Sequence, residues 1–129
     1  MYFIYSKITI LILIISPVLF LFRLLKGKED KKRFLERFCF FSKQNSSNTI
    51  WFHAASVGEL MSIVPLIKKF ESNDRIKKIL LTTTTTSSAK IFTKLNLRKT
   101  THQYFPLDIS FFSKKFIKFW KPQLAIFVD

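Results

Sequence analysis

The apolar positions fall into two regimes. From Ile8 to Phe22 the chain reads ITILILIISPVLFLF, without a charge. A helix of that length reaches about 22 Å, short of the roughly 30 Å hydrocarbon core. Counting Tyr2–Tyr5 and Leu24–Leu25, the stretch approaches about 25 residues. Only Lys7 and Arg23 interrupt it with charge, and both can snorkel to an interface. The pattern predicts a membrane helix over residues 1–25, spanning or dipping into one leaflet, with Pro17 as a possible kink.

Beyond residue 48 the period changes repeatedly. Phe34 starts a charged helix that decays into the polar linker KQNSSN, so residues 26–48 are expected as a basic juxtamembrane helix and linker. The folded unit is expected from Thr49 to Asp129. TIWFHA (49–54) and KILLTT (78–83) are short, β-rich runs that predict buried strands. Leu60, Ile63, Val64, Ile67 and Phe70 recur at helical spacing. A second helix is expected over Ser87–Leu95, a strand over His102–Phe105, a third helix over Ser110–Trp120 and a last strand over Gln123–Val128. Strands alternating with helices predict an α/β fold with a parallel sheet. Chemistry in such folds collects at the carboxyl ends of the strands. The loops of interest are therefore Ala54–Glu59, Thr83–Ser88, Pro106–Asp108 and Asp129.

Charge adds a partner class. The 129 residues carry 22 Lys and Arg against 8 Asp and Glu, a formal net charge of +14. That balance favours an anionic partner: an anionic membrane surface, a phosphorylated ligand or, last, nucleic acid. A coding sequence rich in A and T also inflates Lys, Phe, Ile and Asn. No zinc-finger or RNP pattern supports nucleic acid. The basic flank Arg23, Lys26, Lys28, Lys31, Lys32, Arg33 and Arg37 outweighs Lys7, which predicts an uncleaved anchor with its carboxyl side cytoplasmic. A cleaved signal peptide fits less well, because no small-x-small site follows. Cys39 is the lone cysteine, so no intramolecular disulfide and no Cys-based metal site is expected.

Three constellations could carry chemistry. In HAASVGE (His53–Glu59) a strand turns into a helix, and Gly58 is one of two glycines. Its dihedral freedom would ease that turn. Glu59 reads either as a general base or as the third residue of a capping box opened by Ser56. Thr82–Ser88 is a run of seven hydroxyl residues, either an oxyanion cradle or a polar loop with a good cap. Along Ser110–Lys121, Phe112, Phe116, Phe119 and Trp120 share one side, and Lys114, Lys118 and Lys121 another. The stripe reads as core, with a lipid-facing surface as the alternative. His53 ends a strand, as hydrogen-bonded scaffold or as a group orienting substrate. With His102 far away in sequence, a metal site is not expected.

WFHAASVGE followed by PLI resembles the signature opening the first βα unit of 3-deoxy-D-manno-octulosonic acid (Kdo) transferases. Other pieces follow that family's order: GKED with R-x-x-E-R (Arg33, Glu36, Arg37), LLTTTTT, H-x-Y-x-P-x-D (His102, Tyr104, Pro106, Asp108), and Lys121–Pro122. The resemblance implies the N-terminal Rossmann-like half of a GT-B glycosyltransferase. It implies an inverting transfer from a CMP-Kdo donor to a lipid A precursor, without a required metal or other cofactor, at the bacterial inner membrane. It assigns the catalytic base to Glu59 and marks Ser56, Gly58, Thr84 and Asp129 as substrate-binding candidates. Asp129 stands where the family has a Glu, which shortens the reach by one methylene. The family's donor site lies in a C-terminal domain outside these residues. The chain alone is therefore expected to be inactive, as a fragment or the product of an interrupted gene. The alternative is a non-catalytic, membrane-anchored remnant that binds anionic lipid.

Overall fold

A computed structural model describes residues 2–26, 32–39 and 48–128. The chain divides into two compact units, 1–31 and 32–129. The first contains α1 (Tyr2–Leu25), whose 24 residues correspond to about 36 Å of helix. Phe3–Arg23 is long and apolar enough to cross a membrane, by length and composition. Pro17 lies inside α1 without ending it. At the two ends Lys7 Nζ lies 5.9 Å from the Phe3 ring centroid and Lys26 Nζ 4.3 Å from that of Phe22. Cationic heads folding back over aromatic rings suit an interfacial position.

The second unit is a four-stranded, all-parallel sheet of β1 (Thr49–Ala54), β2 (Lys78–Thr83), β3 (Thr100–Tyr104) and β4 (Pro122–Val128), in the order β3-β2-β1-β4. The connecting helices are α2 (Val57–Glu71), α3 (Thr86–Lys94) and α4 (Ser110–Trp120). The expected α/β, Rossmann-like parallel sheet is therefore the fold found. β1, β2 and α4 fall on their expected residues, and the other elements shift by a few.

Alternation along the strands splits the core in two. Phe52, Ala54, Ile79 and Leu81 pack with Leu60, Ile63, Val64 and Ile67 of α2. On the opposite face Trp51 and Leu80 pack with Phe116 and Trp120 of α4 and with Cys39. The aromatic stripe of α4 is thus core, as its spacing suggested. Pro65 interrupts the hydrogen-bond ladder of α2. Pro65 and Met61 both face outward, so the carbonyl left without its helical donor lies on the water side.

Of residues 26–48, the stretches 27–31 and 40–47, with nearly all of the expected polar linker, lie outside the described residues. Within 32–39, Phe34–Phe38 is a 3-10 helix, and Lys32–Cys39 falls in the same unit as the sheet. The reason is chemical. The Arg33 Nε and Nη2 groups grip Glu36, at 2.7 and 3.0 Å, and Arg33 also donates to the carbonyl of His102. Glu36 in turn accepts the backbone N–H of Tyr104 at 2.9 Å. Arg37 donates to the carbonyl of Thr84, and both guanidiniums lie over the Tyr104 ring. The R-x-x-E-R pattern therefore clamps the edge strand β3, so these arginines serve the fold as well as the basic flank. The GKED segment lies outside the described residues. At the other edge, β4 pairs with no further strand among the described residues, and Leu124 and Phe127 are about half exposed.

Candidate functional site

Three strand-to-helix or strand-to-loop junctions meet at the carboxyl edge of the sheet. After β1 the backbone of Ser56 is extended, with φ −118° and ψ 168°, and its Oγ accepts the N–H of Glu59 at 3.3 Å. Glu59 returns the contact. Its Oε2 accepts the backbone N–H groups of Ala55 at 2.6 Å and Ser56 at 3.3 Å. The capping box expected as the structural role of Glu59 is therefore present. It uses one carboxylate oxygen, and Oε1 has no hydrogen-bond partner among the described residues.

These contacts hold the carboxylate ionised. The Ala55 N–H lowers the Glu59 pKa most, and the Ser56 side chain adds to it. Burial opposes them in part, and the Ser56 N–H and His53 lower it by less. A base must be ionised at neutral pH, and this one is; a depressed pKa also makes it a weaker proton acceptor.

Gly58 departs from the expected role. It sits at the second helical position with no left-handed φ, and a Cβ built on it would meet only Ser56 Oγ, at 4.0 Å. The turn needs no glycine. What glycine leaves is an open, exposed backbone beside Glu59.

The hydroxyl run after β2 is mostly spent within the fold. Thr82 and Thr83 are buried in the strand. Thr84 Oγ1 donates to the carbonyl of Ala55, tying the two junctions together. Thr85 caps α3 by accepting the Ser88 N–H at 3.2 Å, and its hydroxyl meets Ser88 Oγ at 2.7 Å. Ser88 is buried. Thr86 and Ser87 are the members of the run that keep exposure without an internal partner among the described residues. An oxyanion cradle of seven hydroxyls is not what these residues form.

His53 lies at the end of β1, half-buried, with Nδ1 at 2.9 Å from Thr82 Oγ1 and 3.2 Å from the Thr82 carbonyl. Burial lowers its pKa, opposed by the Thr82 carbonyl and by the charge of Glu59. His102 is scaffold: it is buried, its Nε2 is 2.8 Å from Thr83 Oγ1, and its ring lies 5.3 Å from that of Phe92. Asp108 is exposed on the loop after β3. Asp129 lies outside the described residues. The structure thus brings Ser56, Gly58, Glu59 and Thr84 to one edge, with His53 beside them.

Glu71 was not singled out from the sequence. Its carboxylate accepts Thr100 Oγ1 at 2.6 Å and the N–H groups of Lys99 and Arg98 at 2.8 and 3.2 Å. It ties the end of α2 to the start of β3. Burial pushes its pKa up, but the hydrogen bonds from Thr100, Lys99 and Arg98 outweigh it and leave the group below its ordinary value. No local pattern marks such a role, since the partners lie nearly thirty residues away.

Comparison with known proteins bears on the same edge. The family model described as 3-Deoxy-D-manno-octulosonic-acid transferase (kdotransferase) matches residues 32–129. The 3-deoxy-D-manno-octulosonic acid transferase of Rickettsia bellii is 40% identical over 126 residues, which is 97% of this chain and 30% of the relative. The Rickettsia felis protein of that name is 30% identical, with 100% of this chain and 38% of the relative covered. That of Haemophilus influenzae is 30% identical over 94% of this chain and 30% of its own length. No solved structure matches. The chain therefore spans about a third of the length of these relatives. The family match covers the whole unit that holds the sheet and the Ser56–Glu59 edge, and on that ground the chain belongs to the Kdo transferase family of glycosyltransferases.

Proposed function

We propose that this chain is the acceptor-side half of a GT-B enzyme that transfers Kdo from CMP-Kdo to a lipid A precursor with inversion, needing no metal or other cofactor. Glu59 is the base. It takes the proton from the acceptor hydroxyl as that oxygen attacks the anomeric carbon, and the CMP phosphate leaves with the bonding electron pair. The observation that carries this reading is the division of labour in the carboxylate: Oε2 is held by two backbone N–H groups, while Oε1 has no hydrogen-bond partner among the described residues. Cap and base are then compatible, because the cap orients the free oxygen. Ser56, Gly58 and Thr84 border the acceptor, and Asp129 is a further substrate-binding candidate. Residues 49–129 contribute the acceptor-side sheet, and the donor nucleotide is held by a second domain of the complete enzyme.

The anionic membrane surface is the second partner. Support comes from α1 and from the outer side of α4, where Phe111 and Ile117 are exposed among Lys114, Lys118 and Lys121. Exposed apolar groups beside cations suit a layer of anionic headgroups. We place α1 in the bacterial inner membrane, with the rest of the chain in the cytoplasm. Protease added to spheroplasts should leave residues 32–129 intact; digestion from the periplasmic side refutes that orientation.

The reaction is tested in a chimera in which this chain replaces the matching segment of the Rickettsia bellii relative. Transfer of Kdo from CMP-Kdo to a lipid A precursor, lost in Glu59→Gln, supports the proposal. Transfer that persists in Glu59→Gln leaves Glu59 as a cap alone. If a folded chimera transfers nothing, the second reading is favoured: a membrane-anchored remnant that binds anionic lipid.

A further inference from the structure

The arginine that closes the R-x-x-E-R pattern reaches the candidate site across two junctions. Arg37 is anchored at its backbone, where its carbonyl accepts the N–H of Leu107 at 3.0 Å. Its guanidinium lies 5.3 Å from the centre of the Tyr104 ring, and its Nη2 donates to the carbonyl of Thr84. A charged donor makes such a bond stronger than a neutral one. Thr84 passes the constraint on, because its hydroxyl donates to the carbonyl of Ala55.

The peptide between Ala55 and Ser56 is rigid and planar, so its carbonyl and its N–H turn together. The carbonyl receives Thr84 Oγ1, and the N–H of Ser56 donates to Glu59 Oε2 at 3.3 Å. The N–H of Ala55 donates to the same oxygen at 2.6 Å. The Ala55–Ser56 segment is thus gripped from both sides, and the orientation of the Glu59 carboxylate follows from where that segment is held. Arg33 offers a contrast within the same pattern. It pairs with Glu36 and donates to the carbonyl of His102, which makes it a clamp on β3.

We infer that Arg37 is a positioning residue for Glu59: through Thr84 and the Ala55–Ser56 peptide it fixes the angle at which Oε1 meets the proton to be removed. A base held in one orientation is already aligned when the substrate arrives. The inference rests on the proposed role of Glu59 as base, and its test separates the two.

Carbon-13 spectra of the Glu59 carboxylate, taken on the full chain in detergent micelles, read that group without reference to activity. In the wild-type chain it should titrate below its ordinary value of 4.5, chiefly because the Ala55 N–H holds it. His53, which also acts on it, is left intact in every variant. Arg37→Met and Thr84→Val should each move the titration up towards the ordinary value. The double variant should move it no further than the larger single change, since both break one series of bonds. Thr84→Val removes no charge, so its shift separates geometry from electrostatics. Arg37→Lys keeps a donor and should recover much of the effect. Arg33→Met, even where it lowers stability, should leave the titration in place. A folded Arg37→Met with an unmoved Glu59 overturns the inference, and so does an equal shift in Arg33→Met. If Arg37→Met does not fold, Arg37→Gln, whose amide ends short of the Thr84 carbonyl, carries the same two outcomes. In the chimera, Arg37→Met should lower kcat about 10–100-fold at nearly constant acceptor KM and move the acid limb of the kcat profile to higher pH. Transfer lost in Glu59→Gln but untouched in Arg37→Met refutes the positioning role and leaves the base. A moved titration with transfer that persists in Glu59→Gln keeps the positioning role and removes the base.

Discussion

The junctions after β1 and after β2 begin with the same device and end differently. Ser56 and Thr85 have nearly the same backbone, φ −118° and ψ 168° against φ −113° and ψ 149°. Each hydroxyl accepts the N–H three residues on, at 3.3 and 3.2 Å. The difference lies in the third helical residue. After β2 it is Ser88, buried and bonded back to Thr85, so the junction closes on itself. After β1 it is Glu59, which completes the cap with one oxygen and keeps the other. A cap alone says nothing about chemistry. Bonding capacity left over once the cap is satisfied distinguishes a candidate site from a well-made turn.

The strongest way to break that comparison is Glu59→Gln in the chimera. The amide oxygen can still accept from Ala55, so folding should be nearly unchanged, while kcat should fall by about 10²–10⁴, the usual worth of a general base. Near wild-type turnover would make the two junctions equivalent. Thr85→Ala addresses the other junction. It should lower stability by about 1 kcal/mol and leave transfer per folded molecule unchanged, as measured by denaturant titration alongside the assay. A loss of turnover there comparable to that of Glu59→Gln would erase the distinction.

Smaller effects sharpen it. Gly58→Ala should raise stability by about 0.5–1 kcal/mol, because the position is helical and a Cβ meets open space. A fall in stability would mean that the glycine serves the turn after all. The smallest effect is a pH dependence. Glu71 has a folded pKa below its ordinary value of 4.5, so its contribution is present above the unfolded pKa and fades as pH falls through the folded pKa. Acid unfolding of Glu71→Gln should lack that share of the slope; an identical acid transition would show that its bonds to Thr100 and Lys99 add nothing.

The legible and the illegible parts separate by range of interaction. Apolar spacing at Leu60, Ile63, Val64 and Ile67 marked the buried face of α2, and Ser56 with Glu59 marked its start. Both depend on neighbours within one or two turns. Ala54–Glu59 could be named as a candidate place for chemistry because open α/β sheets put their sites at the carboxyl ends of their strands. Which oxygen of Glu59 is free could not, since that depends on the path of the backbone at Ala55.

The sequence by itself determined the apolar helix, the order of strands and helices, and the local cap at Ser56. Periodicity and short-range hydrogen bonding are written in adjacent residues. Only the tertiary structure decided that Arg33, Glu36 and Arg37 clamp the β3 edge rather than extend a helix, and that Thr84 bridges two loops. It alone decided that Gly58 is helical, and that Thr82 meets the Nδ1 of His53. Each of those outcomes joins groups brought together by the sheet across at least 29 residues of chain, or follows from the backbone path that the sheet imposes. A local pattern contains no record of such a partner until the strands pair.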